Sequence, residues 1–273
     1  MEAFSFFVYP LAACILLILI HAYFGIHILE RGIIFVDLSL AQFIGIGIAL
    51  ACLSGHGGSQ EYLLPAFFAV LGAFILSLSR RIAVHTNIEA FIGVLYIFSL
   101  AAAVLILDRS PHGTEEFKNI LNGNIIWVGG REVLYTLLLY GGIGLFHFFF
   151  RRRFLLLSQE GKGGFLWEFL FFCSFAAVLV KSVQMAGILQ VFGFLIIPAL
   201  IGRLFTRRPL RVLLSGWLLG FLASAFGLFA SYCWDLPTAP LIVAALSIVY
   251  FLLLIARTAI AKKEGGQEKK IEN

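Results

Sequence analysis

Charged residues are scarce in this sequence. Only 13% of the 273 residues are Asp, Glu, Lys or Arg, and 61% are hydrophobic, whereas a typical soluble domain is about 25% charged. Apolar runs of about 20 residues, long enough to cross a hydrocarbon core of about 30 Å, recur along the whole chain. They leave no room for a separate soluble domain, so the composition predicts one membrane domain.

Cysteine and the common catalytic motifs are also sparse or absent. The four cysteines show no CxxC spacing, so neither a zinc knuckle nor a redox motif is indicated. The sequence contains no GxxxxGK[ST] phosphate loop, no GxSxG elbow, no HExxH and no paired carboxylates within an apolar run. We therefore expect a non-catalytic chain that binds no cofactor itself, and any nucleotide must be bound by another subunit.

The net charge of +5 is explained by membrane topology. The basic residues lie in short loops between apolar runs rather than on one polar face, which is typical of loops that stay in the cytoplasm. Nucleic acid is therefore not an expected partner.

Nine apolar segments are predicted to be transmembrane helices. They cover residues 8–29, 33–53, 62–79, 89–107, 133–150, 165–181, 186–205, 210–233 and 239–257. The sequence thus predicts an all-α, polytopic helix bundle of about nine spans. Eight spans are the alternative, because the sixth and seventh segments are the least distinct.

The basic loops predict the orientation, since short Lys/Arg-rich loops lie in the cytoplasm. With the N-terminus outside, nine spans place all the strongly basic connections inside: Arg31; Arg80 and Arg81; Arg151, Arg152, Arg153 and Lys162; Arg203, Arg207, Arg208 and Arg211. The outer side receives the mixed-charge loop 108–132 and a tight link around Lys181. Residues 1–261 then form the membrane domain, and the charged stretch 262–273 is expected to be a disordered cytoplasmic tail.

The second predicted helix carries polar residues within its apolar run. A carboxylate at the bilayer centre costs about 2.5 to 3.5 kcal/mol on insertion scales, so such groups usually face a bundle interior or a water-filled cavity. Asp37 lies six residues after Arg31, and either a neighbouring arginine satisfies it or it lines a path. Gln42 lies deeper and shares a helix face with Ser39. Two roles stay open for Gln42: its side chain either bonds to a neighbouring helix or faces a pore.

The six histidines raise the question of a metal site. His21 and His27 are six residues apart, about 240° around a helix, and so do not share a face. His27 and Glu30 are better spaced, but they lie at the predicted membrane surface, where an ordinary solvated role is favoured. His56 and His112 lie on predicted outer loops, where nothing fixes their geometry. His85 lies on a predicted cytoplasmic loop and His147 in a Phe-rich run, and both are expected to have structural roles. The metal ligands, if any, stay unknown.

Four stretches together resemble the membrane subunit of ATP-binding cassette (ABC) transporters for zinc, manganese and iron uptake. RGIIFVDLSLAQFIGIGIAL (31–50) resembles the second-helix signature of that family, and LNGNIIWVGGREVL (121–134) resembles the turn before its fifth helix. VQMAGILQVFGFLIIPALIGRLFTRR (183–208) and DLPTAPLIVAALSIVYFLLL (235–254) resemble two later segments. The four matches follow the order of the family and cover most of the chain.

The resemblance implies a permease of a prokaryotic cell membrane that carries a divalent metal ion. It further implies a homodimeric or pseudo-dimeric pore, docked on two cytoplasmic ATPase subunits and supplied by an external metal-binding protein. Two basic loops would then face the ATPases, with the docking residues Arg151, Arg152, Arg153, Arg203, Arg207 and Arg208.

The second-helix stretch departs from the pattern of the family. Alignment on Arg31 and Gly32 puts Leu38 where the family has Asp and Gln42 where it has His, and Asp37 is displaced by one residue. Because one residue turns a side chain by about 100°, Asp37 and Gln42 are not expected to converge on one ion. An amide is also a poorer ligand than imidazole for zinc-like ions. The predicted path residues are Asp37, Ser39 and Gln42.

Two other functional classes stay open on the sequence. A secondary transporter or channel, driven by an ion gradient without an ATPase, often shows inverted repeats and broken helices near the membrane midplane; no convincing repeat is found. A membrane scaffold would use its polar residues only to pack helices.

Overall fold

The structure, a computed structural model, describes residues 2–54, 60–82, 86–161 and 163–271. His56, His85 and Lys162, which the sequence places on loops, lie outside these ranges. Within them every regular element is a helix, which confirms the all-α prediction.

Eleven α-helices and one 3-10 helix are found in the described residues. They are α1 (Glu2–Arg31), α2 (Val36–Leu53), α3 (Gln60–Ser77), α4 (Ser79–Ile82), α5 (Ile88–Leu107), α6 (Gly113–Asn122), the 3-10 helix Ile125–Trp127, α7 (Gly130–Phe149), α8 (Arg151–Gln159), α9 (Gly164–Phe205), α10 (Pro209–Trp234) and α11 (Thr238–Ile271).

Seven of the described helices are long and apolar enough to cross a membrane: α1, α2, α5, α7, α9, α10 and α11. The apolar part of α3, Leu63–Ser77, is shorter. The helix α11 continues through Ile271, whereas the composition predicts disorder from Lys262. The span count, the side of each terminus and the division of the chain after residue 261 stay predictions.

The long helix α9 is broken at Gly187. A straight helix of its 42 residues would be about 63 Å long, twice the thickness of the hydrocarbon core. Gly187 has φ 72° and ψ 165°, a conformation that is essentially restricted to glycine. The link that was expected around Lys181 therefore lies six residues later.

The break turns the chain back on itself. Glu168 near the start of α9 pairs with Arg31, and Arg203 near its end pairs with the adjacent Glu30. Arg203 follows Glu168 by 35 positions, which would separate them by about 52 Å in one straight helix. The neighbouring residues Glu30 and Arg31 could not reach both ends of such a helix. Residues 164–186 and 188–205 therefore run in opposite directions, and both ends of α9 lie on one side of the molecule.

The two halves of α9 form the centre of the bundle. They pack against α1, α3, α10 and α11, while α2 packs between α3 and α5 and also touches α9. Gly47 lets α2 approach α3 closely, since a Cβ there would lie 2.6 Å from the Leu64 carbonyl oxygen. Few residues of α5, α7 and α11 are buried, at most 22% of each apolar window, as expected of apolar helices that face lipid.

Candidate functional site

The helix α2 buries all three predicted path residues. The exposed fraction is 0% for Asp37, 0% for Ser39 and 3% for Gln42, because α3, α5 and α9 together cover the helix. Asp37 lies in the first turn of α2, where the helix dipole favours a negative charge.

Asp37 and Ser39 present oxygens without protein partners. Among the described residues, the two carboxylate oxygens of Asp37 have no hydrogen-bond partner, and the hydroxyl of Ser39 has none either. Leaving a buried polar group unpaired costs about 1 to 3 kcal/mol, and more for a charged group. These oxygens are therefore suited to contact an ion or its water shell.

Arg31 does not satisfy Asp37. Its Nη1 lies 3.0 Å from Oε2 of Glu168, its Nε donates to the Ser158 hydroxyl at 3.2 Å, and its guanidinium carbon lies 3.9 Å from the ring centre of Phe171. The arginine nearest to Asp37 in sequence is thus engaged elsewhere, and the alternative in which it neutralises Asp37 is wrong.

The three residues of α2 do not form a chelating set on their own. At 100° per residue, Gln42 lies about 60° from Ser39 but about 140° from Asp37 around the helix axis. In the part of the chain that the structure describes, no group of three or more His, Cys, Asp and Glu side chains is placed to hold a metal ion. Any ion at Asp37 must therefore take further ligands from water or from another chain.

A second buried polar group, which the sequence reasoning missed, joins α1 to α7, α8 and α9. His147 accepts or donates at both ring nitrogens, with Nδ1 3.0 Å from the Tyr23 hydroxyl and Nε2 2.8 Å from the Ser174 hydroxyl. Its ring stacks on Phe154 with centroids 4.1 Å apart. These contacts fit the structural role predicted for His147.

His27 belongs to the same polar group, and its predicted solvated role is wrong. The side chain is 4% exposed, and Nδ1 lies 2.8 Å from the hydroxyl of Ser158 on α8. The i, i+4 spacing of His27 and Arg31 was a usable signal, because it puts both on one face of α1. Their shared partner, Ser158, is 131 positions after His27 and gives no local signal.

The predicted docking arginines are all on the surface. The six residues are Arg151, Arg152, Arg153, Arg203, Arg207 and Arg208, and each is exposed. Three of them begin α8, Arg203 lies in the last turn of α9, and Arg207 and Arg208 lie in the short link between α9 and α10. Ser158 of α8 and Arg203 both bond to the last turn of α1, so the two basic segments lie on one side of the bundle.

Two of the stretches that carry the resemblance meet at the break in α9. The backbones of Gly123 and Gly187 touch, and a Cβ at either glycine would collide with the other segment. The Asn124 N–H donates to the Met185 carbonyl at 3.1 Å. The turn between α6 and the 3-10 helix therefore packs directly against the reversal of α9.

A third stretch joins them at a cavity of about 670 Å³. Its lining combines Asn122, Asn124, Asp235 and Thr238 with the aromatic side chain of Trp127. The connection between α10 and α11 forms one wall, and the turn after α6 forms the other. The segments that line it are those that the sequence places outside, so we name it the outer cavity.

Comparison with known proteins agrees with this architecture. The model of the ABC 3 transport family matches residues 3–257. A "Probable metal transport system membrane protein" of Chlamydia pneumoniae is 25% identical over 240 residues, covering 83% of this chain and 80% of that protein. The manganese transport system membrane protein MntB of Synechocystis sp. is 25% identical over 225 residues, covering 77% and 72%.

A solved structure has the same fold. PsaBC from Streptococcus pneumoniae, determined in complex with Fab, contains a chain that superposes with a TM-score of 0.74 at 20% identity, covering 91% of this chain and 90% of that one.

Proposed function

The chain belongs to the ABC 3 transport family, and from this premise we propose that it is the membrane permease subunit of an ABC importer for a divalent metal ion. It lies in the plasma membrane of a prokaryote as a multi-pass protein. It provides the route across the bilayer, while a separate cytoplasmic subunit hydrolyses ATP.

The observation that carries this proposal is the pair of buried side chains on α2 whose oxygens have no hydrogen-bond partner among the described residues. Asp37 and Ser39 offer oxygens inside an apolar bundle, where such groups usually mark an ion route. The names of the relatives, a metal transport protein and a manganese transport protein, point to the same class of substrate. Oxygen donors suit harder divalent ions such as Mn²⁺ better than they suit soft ones.

Asp37, Ser39 and Gln42 form the translocation path in this proposal. These side chains are 0 to 3% exposed in the single chain, so the ion reaches them only when the bundle opens around α2. Since α2 alone presents too few ligands to enclose an ion, water and a second copy of the chain at the axis of a homodimer supply the others. The ion keeps part of its water shell as it passes Asp37, because no set of three metal-binding side chains is found among the described residues.

Each side of the bundle has its own partner in this proposal. The exposed arginines of α8 and of the α9–α10 link dock on the ATPase subunits. The outer cavity faces an external solute-binding protein that delivers the ion. Trp127, 72% exposed at the cavity wall, is of a residue type enriched at protein interfaces.

Purification of the tagged chain from its native membranes tests the proposal. We expect an ATP-hydrolysing subunit to copurify in stoichiometric amount and Mn²⁺ to stimulate its hydrolysis when the external binding protein is present. A chain that purifies alone and transports Mn²⁺ down an ion gradient would support the secondary-transporter class instead.

A further inference from the structure

The last turn of α1 contacts both basic segments of the proposed docking face. Glu30 and Arg31 are consecutive residues, yet they bind different parts of the chain. Glu30 pairs with Arg203 at 3.4 Å, next to the α9–α10 link. Arg31 donates to Ser158 of α8 at 3.2 Å.

Two further contacts fix the position of α8. His27, one turn before Arg31, lies 2.8 Å from the same Ser158 hydroxyl. Arg31 also pairs with Glu168 at 3.0 Å, and the two side chains are only 3% and 5% exposed. Ser158 is thus held by two residues of α1, and Arg31 ties it to the start of α9.

The same turn of α1 leads directly into the path helix. Only residues 32–35 separate α1 from α2, and Gly32 has φ 66°. Backbone bonds from Ile33 to Ile28 and from Val36 to Ile33 keep this link tight. A displacement of Arg31 must therefore reach Asp37, the second residue of α2.

Stability alone gives a poor reason for these buried polar contacts. A buried ion pair loses so much hydration that well-packed apolar residues of similar volume are often as stabilising or more so. Phe154 and Leu157 of α8 are already fully buried and would hold α8 against the bundle. Unlike apolar packing, the polar contacts hold specific atoms of α1 and α8 at fixed distances, so that the two helices move together.

We propose that the last turn of α1, residues His27, Glu30 and Arg31, couples the ATPase-docking segments to the α2 path, with Arg31 and Ser158 as positioning residues. This inference rests on the proposed function. Motion of α8 and of the α9–α10 link, driven by the ATPases, is passed through Arg31 and Gly32 to the first turn of α2. In this proposal the Arg-Gly pair at the start of the 31–50 stretch transmits the motion from the docking segments to α2.

The test measures Mn²⁺ taken up per ATP hydrolysed by the full complex in proteoliposomes. Ser158→Ala removes the hydroxyl that His27 and Arg31 share, and we expect this ratio to fall about tenfold, the factor that corresponds to losing one hydrogen bond to a charged group. ATP hydrolysis should continue near the wild-type rate. Ser158→Thr keeps the hydroxyl and should restore much of the ratio.

The matched control is Ser215→Ala. Among the described residues, Ser215 bonds only to two carbonyls of its own helix, those of Arg211 and Val212, so the loss of its hydroxyl should leave the ratio unchanged. Glu30→Gln is a second test, which removes the charge that pairs with Arg203, and it should also lower the ratio. If the Ser158→Ala complex does not assemble, the result with Glu30→Gln decides the question.

The inference is overturned if both variants keep the wild-type ratio, including the case in which uptake and hydrolysis fall in equal proportion. Failure of the proposed function would look different, since the wild-type complex itself would then show no ATP-driven uptake of Mn²⁺.

Discussion

Asp37 is the residue at which charge and burial conflict most clearly. Its side chain is fully buried, and neither oxygen has a partner among the described residues. A residue kept only for stability would not be a lone buried carboxylate. The conflict is resolved if the carboxylate serves a passing cation.

We therefore expect Asp37→Asn to lower Mn²⁺ uptake by the assembled transporter about tenfold or more, because an amide loses the charge-assisted contact with the ion. Thermal stability in detergent should be unchanged or higher, since the buried charge is removed. The exposed Asp108→Asn is the matched control. Unchanged uptake in Asp37→Asn would remove this residue from the path.

Gln42 allows a test of ion preference. Gln42→Leu should lower uptake without unfolding the complex, as the side chain loses its polar group but keeps its approximate size. Gln42→His introduces the imidazole that the resemblance of the second-helix stretch implies at this position, and we expect zinc to stimulate ATP hydrolysis more strongly than it does in the wild type. Equal responses of both variants and wild type to zinc would place Gln42 outside the route.

Single residues were the least predictable level from sequence. The polar character of α2 was visible, but the burial of His27 was not, because its partner Ser158 lies on a distant element. Sequence proximity left open a neighbouring arginine such as Arg31 as the partner of Asp37, whereas the partners of Arg31 come from α8 and α9. Hydropathy identifies which residues enter the membrane and says nothing about which of them meet.

At the level of elements, the long apolar helices were predictable and the short ones were not. The predicted segments agree with α2, α5, α7 and α10 to within three residues at each end, and α1 begins six residues before its predicted start. The helices α6 and α8 were missed, because they are short and rich in polar residues and so resemble loops. The sequence predicted the reversal around Lys181, between the segments 165–181 and 186–205. Lys181 instead lies within α9, and its Nζ is 3.8 Å from Oε1 of Glu132 on α7.

The reversal makes a prediction about stability. A Cβ at Gly187 would lie 2.5 Å from the Leu121 carbonyl oxygen, and the backbone there is in a region nearly restricted to glycine. We expect Gly187→Ala to destabilise the protein by about 2 to 4 kcal/mol, combining backbone strain with overpacking.

Melting of the purified protein in detergent measures this loss. Gly141→Ala is the control, since among the described residues a Cβ built at Gly141 meets no atom within 4 Å apart from the backbone of its own helix turn, and helix propensity favours alanine there by about 1 kcal/mol. If Gly187→Ala melts at the wild-type temperature, the turn after α6 does not hold the reversal of α9.

At the scale of the whole molecule, the two sides of the bundle differ in kind. One side carries exposed arginines joined to the end of α1, and the other carries the outer cavity. The charge pattern of the loops predicted this division, because short basic loops are confined to one side of a membrane. It did not predict that one turn of α1 would connect both basic segments.

Arg207 and Arg208 test the docking side. Replacing both with Gln removes two exposed positive charges from the α9–α10 link, and we expect less ATPase subunit to copurify, with a stronger loss at higher salt because exposed charge pairs are screened. Arg109→Gln, an exposed arginine on the predicted outer side, should leave copurification unchanged. Full recovery of the ATPase by the double variant would place docking elsewhere.

The central claim is that this chain supplies a route for a divalent metal ion and that a separate motor drives the transport. Proteoliposomes containing the chain with and without the ATPase subunit, both supplied with the external binding protein, test it most directly. The account predicts Mn²⁺ uptake only when the ATPase and ATP are present. Uptake at the full rate by vesicles that lack any nucleotide hydrolase would contradict it.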